Sequence, residues 1–343
     1  MFAIVLLFTA VVAFAAPASL AAQTQPSKNE PRLVAVKQIW DAGHHNAFTD
    51  LIRYKGRWYC TFREGEAHVG GDGTIRVLES RDCQQWASAA LLSETGVDLR
   101  DPKLSITPDN RLMLMLGGSV YEGQRLLERQ PRVAFSKNGR SWTTPQRVLE
   151  KGEWLWRVTW HKGRAYGISY NTSPQPGAKE PDWTVKLVES DDGVSFRVVT
   201  RLAIPGKPNE ATVRFLKNGD AVALVRREAP GAQAWIGTSK APYTDWTWAE
   251  AGMKIGGPNF LILRGDRMIA SGRQYNPAPV KAKTFVGAMS LESVTPELIL
   301  PSGGDCSYPG MVWHKDTLWL SYYSSHEGRS KIYLAQVKLP KGK

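Results

Sequence analysis

Four side chains with chemical potential stand in turn-rich sequence: Glu210 beside Asn209, Arg226, Arg273 in Ala270-Ser-Gly-Arg-Gln-Tyr275, and Tyr308 in Gly303-Gly-Asp-Cys-Ser-Tyr-Pro-Gly310. Glu210 opens one apolar run, and Arg226 closes the next after the turn Lys217-Asn218-Gly219. A hairpin reversal there returns the guanidinium toward the carboxylate, so that both can face one pocket. Asp72, in His68-Val-Gly-Gly-Asp-Gly73, is a Gly-flanked carboxylate on a loop able to close over a ligand. His68 is the rival acid, because an imidazole titrates near neutrality. His44, His45, His68 and His326 fall with Glu64, Glu66 and Glu327 in loop sequence near the two ends of the chain. Such a group can do acid/base work or hold a cation, but no pair has a recognised ligand spacing. Cys60, Cys83 and Cys306 lie far apart without a CxxC pair. No metal, cofactor or required disulfide is therefore expected.

The elements that must position these groups are strands. The 343 residues are 42% hydrophobic and 22% charged, a globular composition, and 13 Trp, 11 Tyr and 10 Phe with 31 Gly and 21 Pro disfavour a helical protein. Alternating runs such as Arg57-Trp-Tyr-Cys-Thr-Phe and Arg111-Leu-Met-Leu-Met-Leu are separated by short turns such as Tyr54-Lys-Gly, Pro108-Asp-Asn and His161-Lys-Gly. A second signature follows a strand each time: Ser80-Arg-Asp-Cys-Gln-Gln-Trp86, Ser136-Lys-Asn-Gly-Arg-Ser-Trp142, Ser190-Asp-Asp-Gly-Val-Ser-Phe196 and a looser Ser239-Lys-Ala-Pro-Tyr-Thr-Asp-Trp246. The serines are 56, 54 and 49 residues apart. A period in that range, with four strands per unit, predicts an all-β fold: a six-bladed β-propeller of four-stranded antiparallel blades. A jelly roll or sandwich is the structural alternative.

The turns resemble the Asp-box of the sialidase (neuraminidase) superfamily, S-x-D-x-G-x-x-W, with the first three each one residue shorter. The order Glu210, Arg226, Arg273, Tyr308 is similar to that family's glutamate, two arginines and tyrosine. The resemblance spans about residues 36 to 338 and implies a nucleophilic tyrosine, Tyr308, activated by Glu210. Asp72 would be the acid/base, Arg226 and Arg273 the clamp on a substrate carboxylate, and Asp101, in Arg100-Asp101-Pro102, a substrate ligand. A phenol suits a carboxylated anomeric carbon because it arrives neutral and sheds its proton during attack.

Departures from that pattern carry information too. Where the family has its first carboxylate-binding arginine, this chain reads Asn46, and the glutamate that steadies that arginine is replaced by Ser324. Asparagine cannot make the bidentate grip of arginine, so affinity for a sialic acid's carboxylate should fall unless Arg63 or Arg100 substitutes; His45, His68 and Glu327 are further rim contacts.

Residues 2–16 form an uncharged apolar run, too short for a membrane span of about 20 residues, followed by small-x-small sites. A signal peptide over 1–22, a polar segment over 23–35 and one propeller domain over 36–343 are expected. The protein would be exported to the periplasm or the extracellular space, monomeric and not stably inserted in a membrane. The formal charge of +12 favours anionic partners, but the basic residues are scattered, which speaks against nucleic acid. The function expected is an exo-acting, retaining hydrolase of a terminal acidic sugar on a glycan or glycoconjugate. A polysaccharide lyase acting on uronates and a carbohydrate-binding propeller, with Trp154, Trp156 and Trp160 stacking on sugars, are the alternatives.

Overall fold

The computed structural model describes residues 30–173, 183–276 and 281–340; the expected signal peptide lies outside them. The described chain folds into six antiparallel four-stranded sheets, with one short 3-10 turn at Arg264–Asp266 as its only helical element. Blades 1 to 5 occupy residues 45–92, 98–147, 153–202, 208–250 and 255–299 in simple strand order. Blade 6 is composite. Cys306–His314, Thr317–Ser324 and Lys331–Lys338 supply its inner three strands, and Arg32–Trp40 its outermost. This closes the ring by joining the two ends of the described chain in one sheet. The domain boundary expected at 36 is thus too late, because the segment thought polar through residue 35 already pairs from Arg32 to Lys338.

Local sequence explains the hairpins. Lys55 and Gly56 both take positive φ, 45° and 78°, as do Lys162 and Gly163 at 49° and 83°. Two successive left-handed residues make the tight turn whose twist matches the strands. The serine-led turns are held by their own side chains. Ser80 Oγ accepts from Cys83 N at 2.9 Å and Asp82 Oδ1 from Gln84 N at 2.8 Å, and Ser190 and Asp192 repeat the pattern in blade 3. In blade 2 Asn138 takes the aspartate's place, accepting from Arg140 N and Ser141 N. The turn aromatic then packs onto the sheet, with Trp142 Nε1 donating to Gly139 O at 3.0 Å. Blade 4 keeps the serine and tryptophan but lacks the acidic cap, and its turn carries a cis Ala241–Pro242 bond.

Alternating strand residues bury against the next blade. Ile75, Val77, Leu99, Leu112 and Leu114 form one such layer between blades 1 and 2, and Leu318, Leu320, Tyr322 and Tyr333 belong to another beneath blade 6. The first strand of each blade lines the axis and touches the first strands of its neighbours. Each carries the same irregularity. The pairing skips between Ala47 and Asp50, Arg100 and Lys103, Leu155 and Val158, Pro208 and Ala211, Gly256 and Asn259, and Ser307 and Gly310. Two residues face one at every skip, a β-bulge that turns a side chain toward the axis. The leading bulge residues are Phe48, Asp101, Trp156, Asn209, Gly257 and Tyr308, and their successors Thr49, Pro102, Arg157, Glu210, Pro258 and Pro309. Phe48, Asp101, Gly257 and Tyr308 take positive φ, between 48° and 64°. Such conformations are costly for non-glycine residues and concentrate at functional sites.

Candidate active site

The bulges converge on a funnel of about 280 Å³ whose walls include Phe48, His68, Arg100, Asp101, Arg129 and Trp154, with Glu210, Arg226, Glu228 and Tyr308 opposite. Below it the axis is plugged by the buried pair Arg157–Asp50, bidentate at 2.9 and 3.1 Å, and by Lys103, whose ammonium burial pulls down to about 8.

Tyr308 Oη donates to Glu210 Oε1 at 2.6 Å. Glu210 Oε2 accepts from Arg226 Nη1 and from the Gly257 amide, both at 2.7 Å. Arg226 Nη1 also reaches Tyr308 Oη at 2.9 Å, and Nη2 reaches Tyr275 Oη at 3.1 Å and pairs with Glu228. Burial alone would raise Glu210's pKa, but the Arg226 charge and the donated hydrogen bonds outweigh it and hold the carboxyl below its ordinary range. Tyr308 moves the opposite way: burial, then the Glu210 charge, push its phenol well above the usual value. The resting pair is therefore a neutral phenol hydrogen-bonded to a carboxylate.

Gly257 makes this contact possible. A Cβ there would lie 2.7 Å from Tyr308 Cγ, and the glycine holds φ +57° while its N–H serves Glu210. Gly257→Ala is expected to displace the tyrosine, lowering any Tyr308-dependent activity by tenfold or more and costing about 1–3 kcal/mol of stability from backbone strain, read by denaturant titration.

Arg273 stands behind the tyrosine rather than in the funnel wall. Its guanidinium carbon lies 5.2 Å from the Tyr308 ring centroid, and its nitrogens donate to Cys306 O, Asp305 Oδ1 and Tyr323 Oη at 2.8, 3.0 and 2.8 Å. Asp305 gathers the histidines. His45 Nε2 and His68 Nδ1 donate to its Oδ2 at 3.0 and 2.7 Å, and Tyr323 Oη to its Oδ1 at 2.7 Å. Burial opposes ionisation of Asp305, but the histidine hydrogen bonds, the His68 charge and the Arg273 charge hold it far below the usual carboxylate range. The ligand atoms of His45, His68 and Asp305 lie within 4.8 Å of one another, a donor set of the kind that holds divalent cations. Each is already engaged in a hydrogen bond within the group, which accounts for the cluster by itself.

Several expectations need correcting. Asp72 is not in the funnel wall; its Oδ2 accepts from Gly96 N at 2.9 Å, while His68, earlier in the same loop, faces the pocket. The loop's main chain holds one outward and turns the other inward, which spacing does not reveal. Arg63 does not replace the missing guanidinium: it is fully buried, with Nε on Asp98 Oδ1 at 2.6 Å and Nη1 on Ala67 O at 2.7 Å. Asn46 is also sealed in, donating to Gly43 O and Ser330 O. Glu327 remains with Tyr333 and Lys331, outside the pocket. Of the four rim histidines only His45 and His68 meet; His44 lies 3.9 Å from Glu66, and His326 bonds Ser324. Trp154 lines the funnel and Trp156 packs 5.5 Å from Tyr308, but Trp160 lines a separate cavity at the other end of the axis.

Asp101 and Arg100 do line the funnel, with Asp101 Oδ1 buried and unpartnered. Burial pushes the Asp101 carboxyl up, against the pull of Lys103 and Arg100. Asp305, Gly257, Tyr275, Tyr323 and Arg129 were missed. One signal was present: Pro102, Pro258 and Pro309 follow the leading bulge residue in three blades, and proline within a sheet favours bulges.

At the level of sequence, no family model and no curated protein matches the chain. Solved structures do. A Dyadobacter fermentans protein of unknown function superposes with TM-score 0.77 at 21% identity, over 90% of this chain and 99% of that one. An α-L-arabinofuranosidase from Fusarium graminearum, complexed with an iminosugar inhibitor, gives 0.66 at 13%, over 89% and 98%. Trypanosoma rangeli sialidase, complexed with the inhibitor DANA, gives 0.66 at 12%, over 89% of this chain and 58% of that one. At such identities the likeness establishes the six-bladed propeller fold, one that glycoside hydrolases share.

Proposed function

We propose that the chain is an exo-acting, retaining glycoside hydrolase of a terminal sugar, with Tyr308 as nucleophile, Glu210 as its base and His68 as general acid. The 2.6 Å bond from the Tyr308 phenol to an ionised Glu210 in the funnel wall carries the reading. Tyr308 Oη attacks the anomeric carbon as its proton passes to Glu210 Oε1. The bond from that carbon to the aglycone oxygen breaks, and the departing oxygen takes a proton from His68. Water, deprotonated by the now neutral His68, then displaces the tyrosine, and Glu210 returns the proton to the phenolate. Two displacements at one carbon retain its configuration.

His68 is preferred to Asp72 because it lines the funnel and has an orienting partner. Asp305 holds Nδ1–H, leaving Nε2 for the substrate. Asp305 is a positioning residue in this scheme, and Asp101 a substrate ligand.

The test is a panel of 4-nitrophenyl glycosides, including sialosides, uronides and arabinofuranosides, with product configuration followed by NMR. Release of the free sugar with retention is expected. An unsaturated product absorbing in the near ultraviolet would establish elimination, and binding without turnover of any glycan would establish a lectin-like module; either overturns the hydrolase reading. Export, resting on residues 2–16, is proposed with it and is checked by fractionating cells that express the full chain.

A further inference from the structure

Of the positions expected to clamp a carboxylate at the anomeric carbon, all but Arg100 are already satisfied from within. Arg226 is neutralised by Glu210 and Glu228, Arg273 by Asp305, and Arg63 by Asp98, while Asn46 spends its amide on main-chain carbonyls. A carboxylate arriving beside Tyr308 would meet guanidiniums whose charge is cancelled and the two carboxylates of Glu210 and Glu228. The cost of displacing such partners opposes binding there.

Blade 2 presents the contrary arrangement. Arg129 lines the funnel and has no carboxylate within ion-pair distance among the described residues; its one hydrogen-bonded nitrogen, Nε, donates to Gly152 O at 2.9 Å, and Nη2 is buried without a partner. Its guanidinium carbon lies over two aromatic rings, 5.3 Å from the Tyr170 centroid and 6.0 Å from that of Trp154. Contact with two rings restricts the side chain and lowers the entropy lost when it binds an oxyanion. Arg100, on the same blade, lines the same wall and is held only by long contacts, 3.4 Å to Asp98 Oδ2 and 3.3 Å to Tyr121 Oη, with its guanidinium carbon 5.0 Å from the Phe48 centroid. Blade 2 stands two blades from Glu210 on blade 4 and from Tyr308 on blade 6.

We propose that Arg129, assisted by Arg100, is the anion subsite of this funnel, and that the substrate is a sugar whose oxyanion, a uronate carboxylate or a sulfate ester, lies away from its anomeric carbon. The proposal rests on the reading of the funnel as a sugar site and names the class of sugar it takes. With the anomeric carbon at Tyr308, a charged group on the far side of a pyranose ring can reach another wall of the same funnel, where the unpaired charge of Arg129 can receive either oxyanion.

Calorimetric titration of the full chain tests it without requiring turnover. The probes are methyl β-D-glucuronide, methyl β-D-glucoside 6-sulfate, methyl β-D-glucoside and the methyl glycoside of N-acetylneuraminate, against wild type, Arg129→Met, Arg129→Lys and Tyr308→Phe. Either of the first two is expected to bind at least tenfold more tightly than the neutral glucoside, and which one does so identifies the oxyanion. Arg129→Met should remove that advantage, Arg129→Lys restore part of it, and Tyr308→Phe keep it. Equal binding of neutral and charged probes, an advantage untouched by Arg129→Met, or preference for the neuraminate would overturn the proposal. If uronate binding depends on Arg129 but no glycoside is cleaved, the subsite stands and the hydrolase fails. Cleavage of neutral glycosides indifferent to Arg129 gives the reverse.

Discussion

Tyr308→Phe is expected to lower kcat by roughly 10³-fold or more on every cleaved glycoside, because the proposed mechanism forms its covalent intermediate on the oxygen that this change removes. The variant keeps its fold. The ring's contacts with Phe48, Trp156 and Tyr323 remain, and Glu210 still accepts from Arg226 and Gly257. The lost hydrogen bonds, both to charged partners, are worth about 1.5–3 kcal/mol each, a destabilisation that denaturant titration of the variant reads directly. Single-turnover kinetics on a 2-fluoro glycoside, with mass spectrometry of the wild-type adduct, check the outcome. An adduct on any other residue, or a Phe variant with undiminished kcat, removes the mechanism. The pH profile supplies a second reading of the same pair. Glu210 is held below the ordinary carboxylate range, so the base stays ionised as pH falls, and the acid limb of kcat/KM should lie below the value of about 4.3 typical of a free glutamate.

His68→Ala should produce a loss that depends on the leaving group. For alkyl or sugar aglycones, which need a proton as they depart, kcat falls about 10²–10⁴-fold; for 2,4-dinitrophenolate, which leaves without help, the glycosylation step should be nearly unaffected. A merely structural histidine would slow both substrates equally, so the ratio of the two rates decides. The side chain is half exposed, and Asp305 retains Arg273, His45 and Tyr323 without it, so the variant should fold. Asp72→Asn serves as the comparison. Its carboxylate caps Gly96 N away from the funnel, and a loss there matching that of His68→Ala would return the acid role to Asp72.

The architecture was legible in the sequence because its signals are local. A hairpin turn such as Lys55-Gly56 and a serine-led turn such as Ser190–Phe196 are closed by groups within a few residues of one another, and their repetition at nearly constant spacing counts the blades. The Glu210–Arg226 pair was legible for the same reason, since one hairpin joins them.

What tertiary structure alone decided is how side chains are brought to the axis and what surrounds them there. Tyr308 and Glu210 meet because two bulges on separate blades aim at one point, and a bulge changes which face a residue takes without altering the apolar pattern around it. Asp305 collects His45, His68, Arg273 and Tyr323 from distant stretches of chain, and Arg63 reads as a free cation until Asp98 is found beside it. Charge in a sequence is a property of one residue, whereas the charge a ligand feels is what remains after burial and pairing. That remainder, cancelled at Arg226 and Arg273 and uncancelled at Arg129, exists only once the ring has closed.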